Sequence, residues 1–114
     1  MSSTVVKKVL VTGSSGYVGN YLLKNIAWKY PKIQCIGMSR SGRVRKGEKR
    51  TGTMHNVTYV QGDCLSPNSF KDELEDVDAV IHAVGCLFEI NGLSHDGSNR
   101  DSCINMAHEF QKHA

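Results

Sequence analysis

The strongest constraint on this chain is a set of three glycines, Gly13, Gly16 and Gly19, placed between an apolar segment and an amphipathic one. Upstream, Val5 to Val11 is β-branched and apolar apart from Lys7 and Lys8. Its last part, Val9-Leu10-Val11, is too continuous for a half-exposed strand, so it predicts a buried parallel strand. Downstream, Val18, Leu22, Leu23 and Ile26 recur at helical spacing and stop before Pro31, which predicts a first helix. A chain that passes from a buried strand to a helix in so few residues must turn sharply. Gly13 permits that turn, Gly16 leaves the backbone open to a pyrophosphate with no Cβ in the way, and Gly19 lets the helix pack close to the strand. The N–H groups of the first helical turn then face an anion, so the segment predicts a phosphate site. A tight turn that has lost its ligand is the other reading.

The rest of the chain continues the alternation. Ile33 to Met38, Val57 to Gln61 and Ala79 to Val84 are short apolar runs bounded by Gly, Pro, Asn or Asp, and each predicts a strand. Ser66 followed by Pro67 predicts the start of a second helix reaching about Leu74. From about Asn99 to His113 a last helix is predicted, with Cys103, Ile104, Ala107 and Phe110 on one face. Residues 40 to 56 are polar, Gly-rich and basic, and predict a mobile loop or a stunted helix. The order strand, helix, strand, strand, helix, strand, helix predicts an α/β fold, a Rossmann-type parallel sheet of about four strands with helices on both faces.

At 114 residues the chain is long enough for one domain and too short for two separate cores. No apolar run approaches the ~20 residues that a membrane-spanning helix needs. Cys35, Cys64, Cys86 and Cys103 are scattered in or beside apolar stretches with no Cys-x-x-Cys pair, which points to an intracellular, reducing compartment. Met1 to Lys8 has neither the apolar core of a secretory signal nor the Arg-rich amphipathic character of a matrix-targeting peptide. Lys71-Asp72-Glu73-Leu74 spells a retrieval signal that is read only at a C-terminus, so here it is coincidence.

The segment Thr12-Gly13-Ser14-Ser15-Gly16-Tyr17-Val18-Gly19 has the Gly-x-x-Gly-x-x-Gly spacing, and it resembles the short-chain dehydrogenase/reductase superfamily, particularly its extended and atypical members. The resemblance extends to Gly62-Asp63, to His82-Ala83-Val84-Gly85 and to Asn99-Arg100-Asp101. It implies an NAD(P)-binding domain over residues 1–114, in which Gly13, Ser15, Gly16, Tyr17, Val18 and Gly19 surround the phosphates. It further implies Asp63 and Cys64 beside the adenine, and Ala83, Val84 and Gly85 along the cofactor. For Asp63 a plain capping role stays open, because Asp favours such loop positions anyway. His82 lies on an otherwise apolar strand and reads as a packed histidine rather than a catalytic one.

The end of the second strand decides the cofactor. An acid there would bond the ribose hydroxyls of NAD(H), and a basic residue would accept the 2′-phosphate of NADP(H). Met38-Ser39-Arg40-Ser41-Gly42-Arg43 holds no acid, so Ser39 and Arg40 favour NADP(H), with NAD(H) as the alternative. Arg40, Arg43, Arg45, Lys46, Lys49 and Arg50 also raise the question of a polyanion. A net charge of only +3 and the lack of interleaved aromatics in that cluster argue against nucleic acid.

The resemblance implies a catalytic tyrosine and lysine four positions apart, and Tyr17, Tyr21, Tyr30 and Tyr59 are followed at that distance by Tyr21, Asn25, Gln34 and Asp63. No catalytic residue is therefore predicted in this chain. It reads as cut before a fifth strand, and the exposed edge of the fourth strand then needs a partner or the remaining half. Three readings stand: part of an active NADP-dependent reductase, an accessory or structural nucleotide-binding subunit, or a flavin reductase or sugar-nucleotide epimerase relative. Ser39-Arg40-Ser41-Gly42 and Val84-Gly85-Cys86-Leu87-Phe88-Glu89 most resemble a mitochondrial branch of the superfamily. That branch holds the NADPH-binding accessory subunit of respiratory complex I and a fungal protein associated with ubiquinone synthesis. The resemblance implies the matrix side of the mitochondrion, with the cytoplasm as the alternative.

Overall fold

A computed structural model describes residues 5–42, 55–84 and 100–113 of the chain. Four strands form one parallel sheet: β1 (Lys8–Thr12), β2 (Gln34–Ser39), β3 (Val57–Gln61) and β4 (Ala79–His82), in the order β3-β2-β1-β4. Two helices flank it, α1 (Tyr17–Lys29) and α2 (Ser102–His113). The predicted fold class is the observed one. Residues 43–54 of the segment predicted as a loop or stunted helix, Gly85 to Glu89 and Asn99 lie outside the described residues.

The sheet's two faces carry separate cores. Alternate residues of a strand point to opposite sides, so Val9, Val11 and Cys35 meet Leu23 and Ala27 of α1, while Leu10, Ile36 and Met38 meet Phe70, Leu74, Val77 and Met106 on the other face. Asn56 fastens the entry of β3 to the end of α1, its Nδ2 donating to the carbonyls of Ile33 at 2.9 Å and Ala27 at 3.2 Å.

β2 is shifted by one residue from the predicted run and β4 ends at His82, two residues before the predicted Val84; three further differences have a visible reason. β1 begins at Lys8, not at Val5, and Val5 and Val6 are exposed. The backbone N–H groups of Lys7 and Lys8 donate to Asp78 Oδ2 at 2.8 and 3.0 Å, so a carboxylate preceding β4 fixes where the strand enters. These two bonds also hold the Asp78 carboxyl below its usual range. The segment after Ser66 is two short 3₁₀ turns, Pro67–Ser69 and Lys71–Leu74, instead of one helix. The Ser69 hydroxyl donates to Ser66 O at 2.7 Å and accepts the Asp63 N–H at 2.8 Å, and such local bonds compete with helical ones.

The third difference concerns α2. Cys103, Ile104 and Ala107 face outward, and the helix buries Ser102 and Met106, with Phe110 half-buried. Polar anchors set this rotation: Ser102 Oγ lies 3.1 Å from His82 Nε2, and Asn105 Nδ2 donates to Cys64 O at 3.0 Å. Counting apolar residues could not reveal partners so distant in sequence.

Candidate functional site

The glycine turn stands at the carboxyl end of β1, where open α/β sheets gather their ligands. Gly13 has φ +66°, and a Cβ there would meet Ala83 O at 2.7 Å. A Cβ on Gly19 would overlap the Gly13 carbonyl, so this glycine lets α1 close on the turn. Gly16 is different. Its backbone is extended, and an added Cβ would approach only the Gly13 oxygen, at 3.3 Å, which a shift of a few tenths of an ångström relieves. The fold asks little for glycine here, and the free side of Gly16 is a cleft. The helical ladder starts with the Asn20 N–H donating to Gly16 O at 3.0 Å, so the amides of Tyr17, Val18 and Gly19 lie ahead of it. No side chain caps this end.

The cleft measures about 220 Å³ and brings together most of the predicted residues: Gly13, Ser15 and Gly16 from the turn, Ser39 and Arg40 after β2, Asp63 and Cys64 after β3, and Ala83 and Val84 after β4. This is below the ~300–1,000 Å³ of a complete small-molecule site, so the described residues build part of one. The side chains of Tyr17 and Val18 are exposed and do not line it, which leaves their backbone as what they can offer. Gly19 is buried beneath the turn, and Gly85 lies outside the described residues.

The individual side chains are unequally committed. Arg40 is exposed on the cleft and makes no hydrogen bond or ion pair with another described residue. Ser39 is buried, and its hydroxyl accepts the Gly42 N–H at 3.0 Å, closing the turn after β2. Asp63 caps its own loop, Oδ1 accepting the Leu65 N–H at 2.9 Å. Asp63 thus fills the capping role while also lining the cleft. Burial, with the Asp63 charge beside it, pushes the Cys64 thiol up to about 11.

Beneath the cleft runs a polar chain that the sequence reading missed. The Ala83 N–H donates to Thr12 Oγ1 at 3.0 Å, Thr12 Oγ1 lies 2.9 Å from His82 Nδ1, and His82 Nε2 reaches Ser102. Burial lowers the His82 pKa, so the ring is neutral near pH 7. In a neutral ring one nitrogen donates and the other accepts, so His82 bridges the Thr12 and Ser102 hydroxyls in either tautomer. His82 thus acts as a packed cross-link among β1, β4 and α2. Gly62 and Ser102 also line the cleft; Gly62 was legible beside Asp63, but Ser102 carries no local signal.

A parallel Rossmann-type sheet with a glycine turn, a helix N-terminus behind it and a cleft at the strands' carboxyl ends defines a nucleotide-binding domain. The chain belongs to the NAD dependent epimerase/dehydratase family, which residues 9–96 match. It is 24% identical over 87 residues to MIOREX complex component 2 of Saccharomyces cerevisiae, covering 75% of this chain and 31% of that protein. It is 26% identical over 80 residues to dTDP-D-glucose 4,6-dehydratase of Homo sapiens, covering 67% and 23%. Among solved structures, L-threonine dehydrogenase from Clostridium difficile superposes with a TM-score of 0.72 at 26% identity, over 94% of this chain and 34% of that one. The Bordetella bronchiseptica enzyme WbmH in complex with NAD+ superposes with a TM-score of 0.72 at 18% identity, over 96% and 36%. The chain therefore spans about a third or less of the length of these relatives.

Proposed function

We propose that this chain binds NADP(H) in preference to NAD(H) and serves as an accessory nucleotide-binding subunit or domain in a mitochondrial assembly. The observation that carries the cofactor choice is Arg40, exposed on the cleft at the end of β2 with no carboxylate at that position. Its guanidinium offers a bidentate, charge-assisted contact to a 2′-phosphate. The amides of the glycine turn would hold the pyrophosphate, Asp63 and Cys64 would flank the adenine, and Ala83 and Val84 would wall the cleft behind the ribose. A nicotinamide dinucleotide supplies hydride exchange when bound; these residues supply binding and orientation. The assembly and the compartment rest on the likeness to the MIOREX component. The dehydratase and dehydrogenase relatives support a second reading, in which these residues are the cofactor-binding part of an active NAD(P)-dependent enzyme.

Titration calorimetry with NADPH and NADH decides the cofactor. NADPH should bind more tightly, and Arg40→Ala should remove roughly 1.5–3 kcal/mol of that difference, the value of a hydrogen bond to a charged group. Equal affinities in the unmodified chain would sink the role of Arg40. Gly16→Val should abolish binding of both dinucleotides with the circular dichroism spectrum retained.

A further inference from the structure

Charge is divided along this chain. Residues 1–61 hold eleven lysines and arginines and one acid, whereas residues 62–114 hold three against ten acids. Among the described residues the division becomes a polarity across the sheet, with Lys24 and Lys29 on α1, Lys32 just after it and no acid on that helix. α1 lies on one face; the 3₁₀ turns and α2, with Asp72, Glu73, Asp101 and Glu109, lie on the other. Segments of opposite charge bias on opposite faces of a thin domain give it an electrostatic direction.

The outer surface of α1 has its own character. Tyr17, Tyr21 and Trp28 are 74%, 60% and 78% exposed. At 100° per residue they fall within an arc of about 40°, forming a straight ridge about 16 Å long. Leu23 and Ala27 are turned to the sheet, so the ridge consists of amphipathic rings with the half-buried Lys24 beside them. Lys29 and Lys32 lie exposed at its end beside Tyr30, with the Lys29 ammonium 5.7 Å from the Tyr30 ring centre. No described helix is long and apolar enough to cross a membrane.

From this ridge and the charge polarity we infer that the α1 face docks on an anionic lipid surface, with the helix parallel to the membrane plane and the acidic face turned away. Tyrosine and tryptophan are the residues that settle at headgroup level, where one end of the ring is apolar and the other wet. Lysines beside them gain from the negative surface potential. A single-stranded nucleic acid fits the ridge less well, because it takes rings in a basic channel at base spacing, whereas Tyr21 and Trp28 are about 10 Å apart along a convex helix. A protein interface fits less well too, because lysine is depleted there.

Trp28 is the chain's single tryptophan, so its fluorescence reports on this face directly. The chain should be titrated with vesicles of phosphatidylcholine alone and of phosphatidylcholine mixed with phosphatidylserine, with co-sedimentation measured in parallel. Mixed vesicles should shift Trp28 emission to the blue and carry the chain into the pellet, and high salt should release it. Lys29→Gln and Lys32→Gln should each weaken partitioning by about fivefold. Tyr21→Ser and Trp28→Ala, the latter read by co-sedimentation, should weaken it further, and Ile104→Ser on the opposite face should change nothing. Circular dichroism identifies folded variants. The inference is overturned if anionic vesicles leave the emission unmoved, if phosphatidylcholine alone acts as well, or if the Lys and Tyr variants bind like the parent. A uridine oligonucleotide that shifts Trp28 where the vesicles do not would overturn it in favour of nucleic acid. A shift that depends on protein concentration alone would overturn it in favour of self-association.

Discussion

The two layers that cover the sheet are held by different means. The α1 layer is an apolar contact: Leu23 and Ala27 enter the surface made by Val9, Val11 and Cys35, and the helix period alone places them there. The α2 layer has an apolar cluster of its own around Phe70, Leu74 and Met106, but the rotation of α2 is set by hydrogen bonds from Ser102 and Asn105. Hydrophobic burial is non-directional and tolerates many rotations of a helix, whereas a hydrogen bond accepts a narrow range. A helix of 12 residues with mixed polarity therefore follows its polar anchors, even at the expense of leaving Ile104 56% exposed.

The largest expected effects lie in the two apolar clusters. Phe70→Ala, at a fully buried position, should cost about 3–5 kcal/mol, and Leu23→Ala about 2–5 kcal/mol, measured by urea unfolding. If the Leu23 variant lost less than 1 kcal/mol, α1 would not be held by packing and the contrast would fail. A smaller and local effect is expected at the anchor. Ser102→Ala removes the hydroxyl that partners His82 Nε2 at 3.1 Å, which should cost about 1–3 kcal/mol. Amide exchange should then rise in α2 while α1 keeps its protection, and equal acceleration in both helices would show that the anchor is not specific to one layer.

The same anchor should make the α2 layer sensitive to pH. Because burial lowers the His82 pKa from its ordinary value of 6.5, the unfolded chain binds a proton more readily than the folded one. Stability is then full above that value and falls as pH drops below it towards the folded pKa. Thermal midpoints between pH 8 and pH 5 should record this fall, and His82→Gln should flatten it; an unchanged slope in the variant would assign the effect to other groups. The smallest effect belongs to Ile104→Ser, expected within about 0.5 kcal/mol of the parent. A loss of several kcal/mol there would restore the helical face that the apolar periodicity predicts.

These contrasts also explain what could be read from residues alone. The strand, glycine turn and α1 were legible because each signal is local: β-branched runs, glycine spacing and a 3.6-residue period within thirty residues. Arg40 and Asp63 were legible as site candidates because they directly follow strands. The face of α2 was not, since Ser102 meets His82 at a separation of twenty positions and Asn105 meets Cys64 at forty-one. The 3₁₀ turns were missed for a subtler reason. Ser66 and Pro67 do signal a start, but the hydroxyl of Ser69 diverts the backbone before a helix can propagate.

Cys64 has a further chemical consequence. A thiol raised to about 11 is thiolate to about one part in ten thousand at neutral pH, and it is the thiolate that reacts with peroxide, disulfides and electrophiles. This wall of the cleft therefore behaves as a small apolar surface and stays silent towards oxidants, although a redox nucleotide is what the cleft would hold. Cys103, exposed on the outer face of α2, is the described cysteine that such reagents meet first.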